Sequence, residues 1–157
     1  MCTDDQRFLT MAIELALENV AHGGGPFGAV VVRDGAVVAT GVNRVTDDHD
    51  PTAHAEVVAI RNACEKLGSF QLAGCTLYAS CEPCPMCLGA IYWARPAAVV
   101  FAAGRDDAAT AGFDDAVIYR ELVTDLPQRQ IPTRQVPHPQ RLQPMEAWAS
   151  NTARQDY

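Results

Sequence analysis

One imidazole, one carboxylate and two thiols stand in this chain at a spacing that suits hydrolytic metal chemistry. They are His54-Ala55-Glu56 and, thirty residues on, Pro83-Cys84-Pro85-Met86-Cys87. An imidazole and two thiolates are donors that Zn²⁺ takes, and three protein ligands leave the fourth tetrahedral position open to water. Such a centre is formally neutral, so it activates water less than one built on three histidines. A carboxylate base beside it is then wanted, and Glu56, two residues from the histidine, is the natural proton carrier. The expected reaction is a metal-assisted hydrolysis in which Glu56 moves the proton of the attacking water.

Simpler readings each explain part of the pattern. His-x-Glu alone is most often a capping or surface pair, and Cys-x-x-Cys alone fits half a structural zinc site or a dithiol redox pair. A closed structural site needs a fourth ligand, for which Cys81 is the nearby candidate. Cys81-x-x-Cys84-x-x-Cys87 resembles an iron–sulfur run, but the Cys-Pro that should follow is missing. A redox or metal-storing protein without hydrolytic function leaves His54 and Glu56 idle. The hydrolytic reading uses all four residues.

The elements that must position them can be read from periodicity. Thr3-Asp4-Asp5-Gln6 resembles a capping box, Leu9, Ile13, Ala16, Leu17 and Val20 recur at helical spacing, and Gly23-Gly24-Gly25 ends the helix. Phe27 to Arg33 and Ala36 to Val42 are β-rich runs joined by Asp34-Gly35, a hairpin signal. Arg44 to Asp50 reads as a loop, and Pro51 or Thr52 opens a helix to about Leu67. Strand Cys75 to Ser80, helix Pro85 to Ala94 and strand Ala97 to Ala103 follow, then a helix over Asp114 to Val123. Asp125 to Pro144 holds five prolines and one short strand, Thr133 to Val136, before a last helix over Pro144 to Thr152. The pattern predicts an α/β sandwich with an antiparallel opening hairpin and parallel strands later. Both motifs then sit at helix starts, where partial positive charge and free N–H groups favour thiolate.

Composition narrows the substrate. The 157 residues suit one domain with a sizeable core. Nineteen acids against twelve bases give a formal net charge of −7, and the bases, eleven Arg and Lys66, form no run. Nucleic-acid binding draws on neutralised phosphates, so a small neutral substrate is favoured over a tRNA or DNA strand. No apolar run reaches the ~20 residues of a membrane helix. Asp4 and Asp5 stand where a signal peptide would be positive. Three of the six cysteines crowd into seven residues, which favours metal chemistry over a disulfide framework. A cytoplasmic setting is expected.

The His-x-Glu…Pro-Cys-x-x-Cys pattern resembles that of the zinc nucleobase deaminases. From Phe8 to Tyr157 the chain is similar to the bacterial guanine deaminases of the cytidine-deaminase-like superfamily. The likeness is carried by Gly25-Pro26-Phe27-Gly28-Ala29-Val30, by Asp50-Pro51-Thr52-Ala53-His54-Ala55-Glu56-Val57 and by Ser80 through Pro96. Tyr92-Trp93-Ala94, Ala111-Gly112-Phe113-Asp114-Asp115 and Tyr157 look like the guanine branch. The resemblance implies a three-layer α/β/α sandwich around a five-stranded mixed sheet, one Zn²⁺ per chain on His54, Cys84 and Cys87, and hydrolysis of guanine at its C2 amino group. It implies Glu56 as proton shuttle and Asp115 as a second carrier at the amino side. Phe27 and Trp93 would sandwich the base, Asn43, His54 and Ala55 would bind it, and Tyr157 would cap it. It further implies a homodimer in which the tail, residues 125–157, is swapped onto the partner.

Competing roles stay open on the residues themselves. Phe27 and Trp93 also suit a core, Asn43 a turn, and Asp114 or Asp115 a helix cap. Glu146 is a rival second carrier. Ammeline, guanosine and cytosine are alternative substrates, and a tRNA adenosine deaminase is an alternative of the same chemistry.

Overall fold

The computed structural model describes residues 4–157. Thr3, the cap residue expected of the first helix, lies outside the described residues. The chain divides into two compact units, one up to Asp115 and one spanning Ala116–Tyr157.

In the first unit, helix α1 (Asp4–Ala21) precedes a hairpin of β1 (Gly28–Arg33) and β2 (Ala36–Val42). Its Asp34-Gly35 turn holds positive φ at both residues, 50° and 72°, as a tight hairpin of this twist requires. There follow α2 (Val45–Asp48), α3 (Ala55–Leu67), β3 (Cys75–Cys81), α4 (Pro85–Ala94), β4 (Ala98–Ala103) and α5 (Arg105–Thr110). The sheet order is β2-β1-β3-β4, with β1 antiparallel to both neighbours and β3 parallel to β4.

Side chains alternate across β1, so one strand serves two cores. Ala29 and Val31 face α3 and α4 through Ala59, Ile60, Ala63, Ile91 and Ala94, with Leu77 and Ala79 of β3. Val30 and Val32 face α1 through Phe8 and Ala12, with Tyr78 of β3. Burial on both sides explains why β1 is a continuous apolar run, and it makes the three-layer α/β/α arrangement.

Gly41 sets how close α3 comes to the sheet. A Cβ there would stand 2.3 Å from the Ala55 carbonyl oxygen and 2.4 Å from the Ala59 nitrogen. Only hydrogen fits, so the first turn of α3, which carries Glu56, lies directly on β2.

Among the described residues four strands form, not the five expected. Thr133 to Val136 makes no ladder among the described residues: Pro132 and Pro137 bracket it and supply no N–H, and the Thr133 hydroxyl turns back to the Ile131 carbonyl. The helix expected from Pro51 or Thr52 begins only at Ala55. Asp50 accepts hydrogen bonds from both the Thr52 N–H and its hydroxyl, which closes a turn and delays the helix. Short helix α2 occupies the segment expected to be a loop, Arg44 to Asp50.

The second unit contains α6 (Ala116–Leu122), a 3₁₀ turn (Leu126–Gln128) and α7 (Gln143–Ser150). Glu121 accepts from the Gln130 N–H and the Arg129 guanidinium donates to the Thr124 carbonyl, tying α6 to the chain after it. Within this unit Trp148 and Tyr157 meet edge to face, centroids 6.1 Å apart.

Candidate active site

The delayed start of α3 leaves His54 as its N-cap, in an extended conformation (φ −70°, ψ 155°). Cys84 is the N-cap of α4 in nearly the same conformation (φ −65°, ψ 169°), with Pro85 opening the helix behind it. Neither side chain caps its own helix, so both are available to a ligand. Cys87, on the buried stripe Cys87-Ile91-Ala94 of α4, completes the set.

His54 Nδ1 lies 3.5 Å from the sulfur of Cys84 and 3.5 Å from that of Cys87. The three ligand atoms all fall within 4.8 Å of one another. Bonds of about 2.3 Å to sulfur and about 2.0 Å to nitrogen, opened at a tetrahedral angle, place neighbouring donors about 3.5–3.8 Å apart. The triad therefore fits Zn²⁺ in both donor type and spacing.

Electrostatics sets the protons on these groups. Cys87, hydrogen-bonded to Cys84, lowers the Cys84 thiol to about 4, and His54 adds to this against the cost of burial. The Cys84 contact, burial and Glu56 push Cys87 upward. Contact with Cys84 raises His54. Binding a cation to such a set displaces protons from it.

Glu56 is buried, 7% exposed, in the first turn of α3. Its Oε2 lies 3.4 Å from Cys87 Sγ. Burial pushes its carboxyl above the ordinary range, which suits a group that must take and return a proton. Asp115 is raised as well, by burial first and then by the charge of Cys84, so the field of the ligand cluster reaches it.

Phe27 and Asn43 extend the β1–β2 ladder by one pair beyond Gly28 and Val42: the Asn43 N–H donates to the Phe27 carbonyl at 3.1 Å. The Asn43 side chain is buried, and its Oδ1 accepts from the Val45 N–H, leaving Nδ2 as the end that can donate to a base. Ala55 is buried at the head of α3. Trp93 stands off the buried stripe of α4 and is 66% exposed. Tyr157 belongs to the second unit, where it packs on Trp148.

Phe113 was quoted in the sequence pattern but given no role. Its ring meets Phe27 edge to face, centroids 4.9 Å apart at 84°. The two rings wall an apolar cavity of about 330 Å³ shared with Leu17, Cys81 and Ala103. None of His54, Cys84 and Cys87 is among the residues lining that cavity. Gly112, with φ 95°, turns the chain just before Phe113, and was the one local signal of this placement.

A family model described as the cytidine and deoxycytidylate deaminase zinc-binding region matches residues 2–103. The chain is 56% identical to guanine deaminase of Bacillus subtilis (strain 168), over 97% of this chain and 98% of the relative. The crystal structure of that relative superposes with a TM-score of 0.95. A guanine deaminase structure from Nitrosomonas europaea matches at 35% identity and TM-score 0.68, covering 73% of this chain and 66% of the other. The tRNA-specific adenosine deaminase of Aquifex aeolicus is 41% identical over 61% of this chain and 64% of its own length. Together with the ligand triad and its buried glutamate, these matches establish that the chain belongs to the cytidine and deoxycytidylate deaminase zinc-binding family.

Proposed function

We propose that this chain hydrolyses guanine at its C2 amino group, giving xanthine and ammonia in purine catabolism or salvage. The observation that carries the substrate is coverage. Similarity to a guanine deaminase runs over 97% of the chain, whereas likeness to the Aquifex aeolicus tRNA deaminase covers 61%. The family's common core thus supplies the chemistry, and the remaining length goes with guanine.

His54, Cys84 and Cys87 would hold the zinc, which when bound would supply a Lewis acid that eases deprotonation of water. The Glu56 carboxylate takes the proton of the attacking water at Oε2. It returns protons to the ring nitrogen beside C2 and to the amine as the C–N bond breaks, so water and guanine balance xanthine and ammonia. Asp115, whose carboxyl burial raises, is the second proton carrier, at the amino side. Phe27, braced by Phe113, offers a ring face to the flat base, and Asn43 Nδ2 donates to an acceptor on its edge.

The second unit closes the pocket of a second copy in a swapped homodimer. In support, every residue from Gln130 to Tyr157 is exposed, among them Ile131, Val136, Met145 and Tyr157, an apolar load that another surface would cover. Trp93, exposed on α4, and Tyr157 join the base in that assembly. The setting is cytoplasmic, in keeping with a cysteine set in which Cys84 and Cys87 serve the metal and Cys64, Cys75 and Cys81 are in no disulfide.

Ammonia release from guanine, cytosine, adenine, ammeline and guanosine tests the substrate. Turnover of guanine is expected, with cytosine and adenine inert. A chain that deaminates only cytosine contradicts the proposal.

A further inference from the structure

Asn19, in the last turn of α1, touches neither metal ligand nor base. Its Nδ2 donates to two carbonyls at once, Gly25 and Asn43, both at 2.8 Å. Those residues are 6 and 24 positions away in sequence. The backbone carbonyl of Asn19 also accepts from the Gly24 N–H at 2.8 Å.

These peptides are the ones that aim the base-binding side chains. The Gly25 carbonyl accepts from the Phe27 N–H at 2.9 Å as well as from Asn19, so it fixes where Phe27 leaves the loop. Asn43 is held at both ends: its N–H donates to the Phe27 carbonyl and its C=O accepts from Asn19. Two glycines clear the way for the two asparagines. A Cβ at Gly24 would stand 2.4 Å from Asn19 Nδ2, and one at Gly25 would stand 2.9 Å from Asn43 Cγ. The run Gly23-Gly24-Gly25 is thus more than a helix stop.

We infer that Asn19 is a positioning residue, whose two-pronged amide clamps Phe27 and Asn43 in register so that ring and donor meet one base. The chemistry singles out asparagine. Two carbonyls need two N–H donors on one short, neutral side chain; Asp and Ser lack them, and Gln places them one methylene too far. The inference rests on the reading of Phe27 and Asn43 as base contacts.

Steady-state kinetics with guanine on wild type, Asn19→Asp, Asn19→Ser, Asn43→Ala and the double variant Asn19→Ser/Asn43→Ala tests it, with zinc content and melting temperature measured on each. Asn19→Asp and Asn19→Ser should raise KM about ten-fold, with kcat and zinc content little changed, because ground-state orientation is lost and the proton chemistry is not. Because the clamp acts in part through Asn43 and in part through Phe27, the two losses should be less than multiplicative, with the double variant falling well short of the product of the single effects. If Asn19→Asp does not fold, Asn19→Ser carries the same comparison. Wild-type KM in the Asn19 variants, a loss confined to kcat or zinc, or a double variant at the full product of the single effects overturns the clamp. Wild-type KM in Asn43→Ala overturns the base-contact reading, and the clamp with it.

Discussion

The Glu56 carboxylate and the Cys87 sulfur lie 3.4 Å apart, each in the first turn of a helix that begins at a metal ligand. Glu56, the proposed proton carrier, and the candidate metal cluster are therefore one packed unit. A substitution can remove the carrier while leaving the cluster intact.

Glu56→Gln keeps the shape and drops the proton acceptor. Zinc content should remain at one per chain while kcat falls by at least about 10²–10⁴-fold, the scale of general acid–base catalysis. Metal analysis and ammonia release on the same preparation check both halves. Zinc lost together with activity would make Glu56 a structural support of the site.

Cys84→Ser or Cys87→Ser removes a soft ligand from a triad that has no spare among its three members. Both variants should lose zinc and turnover. In the wild type a chelator should lower the melting temperature, since binding stabilises the folded state by RT ln(1 + [L]/Kd). Calorimetry with and without added Zn²⁺ reads the shift. An unchanged melting temperature after full chelation contradicts this placement of the metal.

Gly41→Ala should act at a distance. The added methyl meets the backbone of α3 at 2.3–2.4 Å, and α3 must move off β2. A loss of about 1–3 kcal/mol is expected from overpacking. Zinc affinity should weaken with it, because His54 and Glu56 ride on that helix. Denaturant unfolding and metal competition measure the two effects.

Tyr78 sets an alkaline limit. Burial, then its hydrogen bond to Asp5, pushes its hydroxyl from 10.0 to about 12. The folded state therefore holds this proton more tightly than the unfolded chain. The corresponding stability is full below pH 10 and is lost as pH rises towards 12. Tyr78→Phe should flatten that fall and cost about 1 kcal/mol at neutral pH. Unfolding curves at pH 8, 10 and 11.5, round values spanning about that window, decide it.

Residues whose meaning is local were legible in the sequence. His54, Glu56, Cys84 and Cys87 could be read because ligand spacing and helix starts are short-range properties, as was the Asp34-Gly35 hairpin. The fifth strand does not form: Thr133-Arg134-Gln135-Val136 suits a strand only in its two β-branched ends, which say nothing of whether a partner strand is there to pair with. The start of α3 was misplaced because the Asp50 side chain competes with the helix for the Thr52 N–H. Asn19 and Phe113 were invisible for another reason. Each acquires its role from contacts made across many residues, with Asn43 and Phe27 respectively. Periodicity carries no record of those contacts.

Ammonia release from the zinc-loaded chain with guanine as sole substrate tests the assignment most directly. Guanine should be consumed with one ammonia and one xanthine formed per turnover, and Glu56→Gln should abolish it with zinc retained. Guanine left untouched while cytosine or a tRNA adenosine is deaminated would contradict it.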